Sequence, residues 1–209
     1  GALIAIGMNA QNILPAFKSI FVGAFSPEAV MGGAIGISIK EAVRFGVARG
    51  LFSNEAGMGS TPHAHAMAKV AKPQDQGAVA MVGVFIDTFI VLTMTALVIL
   101  TSGMLGTTGA DGQMLTATAL AQAAFNNSFG SFGSIFVAIC LLFFAFSTII
   151  GWYFFGESNV KALFGGSKKA TAIYGIIALV FIVVGSFQKV GLVWDMSDMF
   201  NGLMVIPNL

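Results

Sequence analysis

The sequence predicts an all-α polytopic membrane protein, and three observations carry the prediction. Apolar residues fill 56% of the 209 positions and charged residues only 9%, against roughly 25% charged in an ordinary globular chain. So few charges cannot cover a soluble surface, so lipid must be the solvent for much of the chain. Mean hydropathy is +0.88, and three apolar stretches, 77–104, 132–155 and 170–187, stand out. Each is near the roughly 20 residues that a helix needs to cross about 30 Å of hydrocarbon. The near balance of 10 basic and 9 acidic residues leaves no broad cationic face, which argues against a nucleic-acid partner. Cys140, the single cysteine, excludes an internal disulfide and cannot alone hold a metal.

In chain order, the sequence starts inside apolar residues at Gly1-Ala-Leu-Ile, with neither a methionine nor a charged leader, and stops at Ile206-Pro-Asn-Leu209. It reads as an interior or C-terminal piece of a longer polytopic protein. Positions 1–25 form a weaker span, interrupted by Pro15 and Lys18. Positions 34–49 read as helix but carry Lys40, Glu41, Arg44 and Arg49, and an unpaired cation at mid-bilayer costs about 2.5–3.5 kcal/mol. Glu41 and Arg44 are spaced to neutralise each other in part on one face. Two readings stay open here: an amphipathic helix lying in the interface, or half of a spanning helix whose charged face lines protein or water.

The next segment, Gly50-Leu-Phe-Ser-Asn-Glu-Ala-Gly-Met-Gly-Ser-Thr-Pro62, favours the second reading. Gly50, Gly57, Gly59 and Pro62 oppose helix propagation, and Ser53, Asn54, Glu55, Ser60 and Thr61 supply polar groups that lipid would not solvate. Irregular backbone survives at membrane depth only where it lines a cavity or is buried in protein. Secondary transporters use such breaks to hold substrate and ions near the midplane. A polar turn outside the bilayer is the alternative. Other chemistries fit poorly. Pro62 follows Gly57-Met-Gly59 where a dinucleotide fingerprint needs its third glycine, and Ser53 lacks a Gly-x-Ser-x-Gly context. His63 and His65 diverge on a helix, which argues against a shared metal.

The remaining spans orient the chain. Lys69 and Lys72 precede the first strong span, 105–131 holds no Lys or Arg, and Lys161, Lys168 and Lys169 follow the second. The positive-inside rule puts 66–76 and 157–169 in the cytoplasm and the 105–131 loop outside. Within that loop, 117–125 has helical propensity. Asp87-Thr88 falls near the centre of the first strong span, where an acid marks a polar path or a pair with Arg44, Arg49 or another helix. Ser147-Thr148 lies past the middle of the second. Those hydroxyls either give a cation a hard-oxygen shell or bond back to the preceding turn. Trp152, about a turn later, also fits an interfacial belt. The last stretch, 190–209, carries Asp195 and Asp198, spaced for an entrance gate or a pair with Lys189.

The run Arg49-Gly-Leu-Phe-Ser-Asn-Glu-Ala-Gly-Met-Gly-Ser-Thr-Pro-His-Ala-His65 closely resembles the signature of the alanine or glycine:cation symporters, the sodium:alanine transporters of bacteria and archaea. Gln76-Gly77, Phe85-Ile-Asp-Thr88, Phe144-Ala-Phe-Ser-Thr-Ile-Ile-Gly-Trp152, Gly156-Glu157 and Leu203-Met-Val-Ile-Pro-Asn208 extend the likeness along essentially the whole chain. The resemblance implies a leucine-transporter-like inverted-repeat fold, two repeats of five helices. This chain would be a fragment of it, about helices 5 to 10, forming part of one transmembrane domain. Positions 1–30 would end the first repeat, 31–209 would supply most of the second, and the broken helix would fall around 50–62.

The implied function is sodium-coupled symport of alanine or glycine across the cytoplasmic membrane by alternating access, with no enzyme activity and no cofactor beyond sodium as coupling ion. Phe52, Ser53, Asn54 and Gly57 would line the amino-acid site, and Trp152 would pack against the substrate's small side chain. Ser147 and Thr148 would complete a sodium site. Asp87 and Glu55 are candidates for gating or a polar path. The implied partners are the amino acid, sodium, the lipid bilayer and N-terminal helices of the same protein. A proton-coupled carrier, titrating at Glu55 or Asp87, is the nearest alternative, and an ion channel is a more distant one.

Overall fold

The computed structural model describes residues 1–25, 39–110 and 112–208. Its helices are α1 (Ala2–Met8), α2 (Ile13–Phe25), α3 (Ile39–Asn54), α4 (Pro62–His65) and α5 (Pro73–Phe85), followed by α6 (Leu92–Ser102), α7 (Ala117–Phe129), α8 (Phe132–Leu163), α9 (Lys168–Ser186) and α10 (Val190–Val205). No strand occurs among the described residues, and an isolated bridge joins Thr108 to Met114. The all-helical expectation therefore holds. Three helical stretches among the described residues are long and apolar enough to cross a membrane: Pro73–Ser102, Phe132–Leu163 and Lys168–Ser186. They coincide with the strong spans predicted from hydropathy.

Each span has a physical start and stop. Between α5 and α6 the chain stays helical but winds as a π-helix over Ile86–Val91, so the two form one continuous span. Pro73 stands at its start, where a missing N–H costs nothing, and Gly103, at φ +72°, ends it in the left-handed conformation. The second span runs past the predicted 155 to Leu163. Glu157 and Lys161, paired at 3.0 Å, support its last turns, and Gly165 and Gly166 at positive φ then turn the chain. Ser167 caps α9, its side chain accepting from the Ala170 N–H. The long loop contains the expected helix, which extends to Phe129.

The chain divides into two compact units. One comprises Gly1–Val47 with Phe85–Phe143. In it α1, α2 and α7 pack on α6. Ala5, Ile6, Ala16, Leu97, Val98 and Ala124 form the core, with Phe125 and Phe129 against it. Alanines at the contacts let the helix backbones approach closely. Side-chain amides then tie helices together: Asn12 donates to the Thr101 carbonyl at 2.9 Å, and Asn9 donates to Ser128 Oγ at 3.1 Å. Pro15 does not interrupt the first span as expected. It lies in the first turn of α2, where proline is tolerated, and the interruption is instead the 3-10 turn Ala10–Asn12.

The second unit comprises Ala48–Val84 with Phe144–Leu209. There α8 and α9 meet at Tyr153 and Tyr174, whose rings lie 5.3 Å apart. Gly156 leaves the room this needs, since a Cβ there would collide with the Tyr174 hydroxyl. The predicted 34–49 helix is seen from Ile39 onward. Its first positions lie outside the described residues, as does the Glu41 side chain of the expected Glu41–Arg44 pairing.

Candidate functional site

The discontinuity expected over 50–62 is present, with a later onset. Helix α3 runs through Gly50 to Asn54, because one interior glycine costs only about 1 kcal/mol relative to alanine. The break itself is made by three residues at positive φ: Glu55 at +57°, Gly57 at +88° and Gly59 at +77°. Glycine adopts this conformation freely, whereas Glu55 must be held in it. Asn54 Oδ1 accepts the Ala56 N–H at 2.9 Å, and Ser60 Oγ donates to Glu55 Oε2 at 2.7 Å. Met58 and Ser60 are buried inside the turn, at 2% and 1% exposure. Pro62 then opens α4. The break is thus an ordered turn closed by its own polar side chains.

One face of α10 lies along this segment. Arg49 makes a two-pronged ion pair with Asp198, at 3.0 and 3.1 Å, the geometry in which a guanidinium binds a carboxylate best. The same guanidinium lies over the Trp194 ring at 3.9 Å, a cation–π contact. Phe52 meets Trp194 edge-on at 5.0 Å. Further along, Asn208 Nδ2 donates to the Gly57 carbonyl at 2.9 Å. Asn201, spaced on the same helical face as Trp194 and Asp198, is buried, and its Nδ2 has no hydrogen-bond partner among the described residues. Asp198 was expected to pair with Lys189 or form a gate, and Arg49 was one of several partners considered for Asp87. Instead Arg49 and Asp198 pair with each other, because α10 brings a carboxylate within reach of the guanidinium. Asp195 is exposed.

Behind the break lies a cavity of about 460 Å³, lined among others by Ser60, His63, Trp152, Asn159, Tyr174 and Met204. Trp152 packs edge-on against Phe155 at 5.8 Å. His63 links two elements here. Its Nδ1 lies 3.0 Å from the Ser60 carbonyl, which can only accept, so Nδ1 carries the proton. Its Nε2 then accepts from Asn159 Nδ2 at 3.1 Å. His65 turns to Gln76, with Nδ1 2.6 Å from Nε2 of the amide, so the two histidines diverge as the spacing predicted.

The expected site residues are thus only partly gathered. Trp152 shares the cavity with Ser60 and His63, while Phe52, Ser53, Asn54 and Gly57 lie along the break and do not line that cavity. Ser147 Oγ donates to the Phe144 carbonyl at 3.0 Å, and Ser147 and Thr148 are both exposed on α8. Asp87 sits in the π-helical turn and belongs to the first unit. π-Helical turns recur at functional positions in helices. Sequence reasoning missed the Arg49–Asp198–Trp194 cluster, the Asn208 clasp and the His63–Asn159 bond. Of their members only Arg49 and His63 stand in the signature run, and Asp198 was singled out for a different pairing.

A helical chain with membrane-crossing spans and a polar, internally bonded helix break has the build of a polytopic membrane protein. The profile of the sodium:alanine symporter family matches residues 1–209, and the chain belongs to that family. It is 44% identical over 208 residues to the "probable sodium/glutamine symporter GlnT" of Bacillus subtilis, covering 100% of this chain and 41% of that protein. It is 40% identical over 207 residues to the "sodium/alanine symporter AgcS" of Methanococcus maripaludis, covering 99% of this chain and 44% of that protein. A "sodium/proton-dependent alanine carrier protein" of Bacillus sp. strain PS3 is 36% identical over 220 residues, covering 100% of this chain and 48% of the relative. The chain therefore spans less than half the length of these relatives.

Proposed function

We propose that this chain is part of a symporter that carries alanine or glycine across the cytoplasmic membrane of a bacterium or archaeon, driven by sodium. The single observation that carries the reading, beside family membership, is the ordered polar break between α3 and α4. Such irregular backbone between two helix ends is where secondary transporters hold substrate and ions, and Asn54 stands at its start. Phe52, Ser53, Asn54 and Gly57 would hold the polar end, and Trp152 would limit the size of the side chain. Ser147 and Thr148 would give sodium two hydroxyl oxygens, with further ligands from N-terminal helices of the full-length protein. Glu55 and Asp87 would serve gating or the polar path. Sodium and substrate that both favour one arrangement of this site strengthen each other's binding. Lipid would cover the exposed faces of the spans, with 66–76 and 157–169 on the cytoplasmic side.

Proton coupling is the second reading, favoured by the name of the strain PS3 relative. The sodium assignment has a direct test in the full-length protein. Replacing Ser147 and Thr148 together by alanine should raise the half-saturating sodium concentration for labelled alanine uptake by about tenfold or more. An unchanged sodium dependence removes both hydroxyls from the ion site.

A further inference from the structure

His63 bonds to two elements at once, one through each ring nitrogen. The imidazole is neutral in this arrangement, donating through Nδ1 to the Ser60 carbonyl and accepting through Nε2 from Asn159. Asn159 cannot simply turn its amide around. Its Nδ2 also donates to the Phe155 carbonyl at 2.9 Å, and a flip would set oxygen against oxygen. A proton added at Nε2 would therefore put two donors face to face at the present 3.1 Å separation. The link between α4 and α8 exists only while His63 is neutral.

Among the described residues the cavity wall offers an imidazolium no charged partner, and because Asn159 is exposed, water would take up the new N–H in place of the amide. Among the described residues no carboxylate and no lysine or arginine lines the cavity, and the other titratable groups described on its wall are Tyr153 and Tyr174, the latter donating to the Tyr153 carbonyl. Glu157 on α8 is engaged by Lys161. Glu55, on the segment leading into α4, accepts the Ser60 hydroxyl. Helices α9 and α10 otherwise contribute Ala178, Ile182 and Met204 to the wall. Histidine is the side chain whose ordinary titration falls in the physiological range.

We propose that the His63–Asn159 hydrogen bond is a proton-sensitive latch between α4 and α8 that governs release of the amino acid to the cytoplasmic side. The inference rests on the symporter reading and on the orientation set by the lysines. With His63 neutral, α4 is held to α8 beside the cavity that contains Trp152. Protonation frees α4 and opens the way past Trp152, so acid on the cytoplasmic side speeds release.

The test uses the full-length protein in liposomes, with labelled alanine release followed as the pH on the cytoplasmic face is lowered from about 7.5 to about 5.5. Release by the native protein should rise about three- to tenfold, the range expected for one lost hydrogen bond. The His63→Gln variant should show no such rise. Asn159→Asp, which offers an imidazolium a carboxylate, should invert the response. An equal pH response in the native protein and H63Q overturns the latch.

Hydrogen exchange of backbone amides 60–66, measured in the same protein without substrate, gives a readout independent of transport. Acid should strip protection from the native protein and not from H63Q, and equal loss in both overturns the proposal. If alanine is not carried while this difference persists, the symporter reading fails and the latch stands.

Discussion

Replacing Asp198 by alanine is expected to destabilise the full-length protein by about 1.5–3 kcal/mol, the range for loss of a hydrogen-bonded charge partner. Two charge-assisted bonds at 3.0 and 3.1 Å disappear, and the Arg49 guanidinium is left over the Trp194 ring without its carboxylate. Both side chains of the pair are only partly exposed, at 37% and 28%, so water replaces the lost partner incompletely. Asp198→Asn keeps the shape and one acceptor and should lose about half as much. Combining it with Arg49→Gln should cost less than the sum of the two single changes, with a coupling of at least about 0.5 kcal/mol. Thermal unfolding in detergent of the native protein, Asp198→Asn, Arg49→Gln and the double variant measures this, and strictly additive losses would mean that the pair does not hold α10 to α3.

The second large effect is expected at Gly133, at the turn from α7 into α8. A Cβ there would lie 2.5 Å from the Phe125 carbonyl carbon and the Asn126 nitrogen, and 2.6 Å from the Phe125 oxygen. These are backbone atoms, so no side-chain rotation relieves the clash, and the α7 backbone must move. That movement strains the double clasp in which Asn126 Oδ1 accepts the Ser134 N–H and Asn126 Nδ2 donates to Ser134 Oγ, both at 2.7 Å. Gly133→Ala should therefore cost about 1–3 kcal/mol, the usual range for overpacking, and Gly133→Leu more. A melting temperature for Gly133→Ala equal to that of the native protein would show that the helices can separate here without penalty.

Sequence reasoning succeeded where one local signal dominates. The spans at Pro73–Ser102, Phe132–Leu163 and Lys168–Ser186 follow from continuous apolarity, since little but a helix is stable in such a run. The α7 helix followed from composition alone. Boundaries were less legible. Gly50 suggested an end to α3, yet the helix continues to Asn54, and the turn waits for Glu55, Gly57 and Gly59. Local propensity sets the cost of a glycine, and neighbouring helical turns decide whether that cost is borne. The π-helical turn at Ile86–Val91 left no trace in the sequence beyond an acid in an apolar run.

Long-range partners were not legible at all. Arg49 and Asp198 are 149 residues apart, as are none of the pairs considered from spacing. Asn208 reaches Gly57 across 151 residues, and Asn159 reaches His63 across 96. Charge and hydrogen-bonding capacity were visible at each position, but which helix faces meet depends on packing across the unit. The signature run pointed to the right segment because its unusual glycines and polar groups stand in apolar surroundings. It did not reveal that Glu55 and Ser60 close the turn on each other.

Sodium-driven amino-acid transport by the full-length protein can be measured in liposomes loaded without substrate. Labelled alanine uptake is compared under an inward sodium gradient and under an inward proton gradient of equal size. Concentrative uptake under the sodium gradient, absent under the proton gradient, is the predicted result. Uptake driven by protons alone would contradict sodium coupling and move attention from Ser147 and Thr148 to Glu55 and Asp87, and no uptake under either gradient would contradict alanine as the substrate.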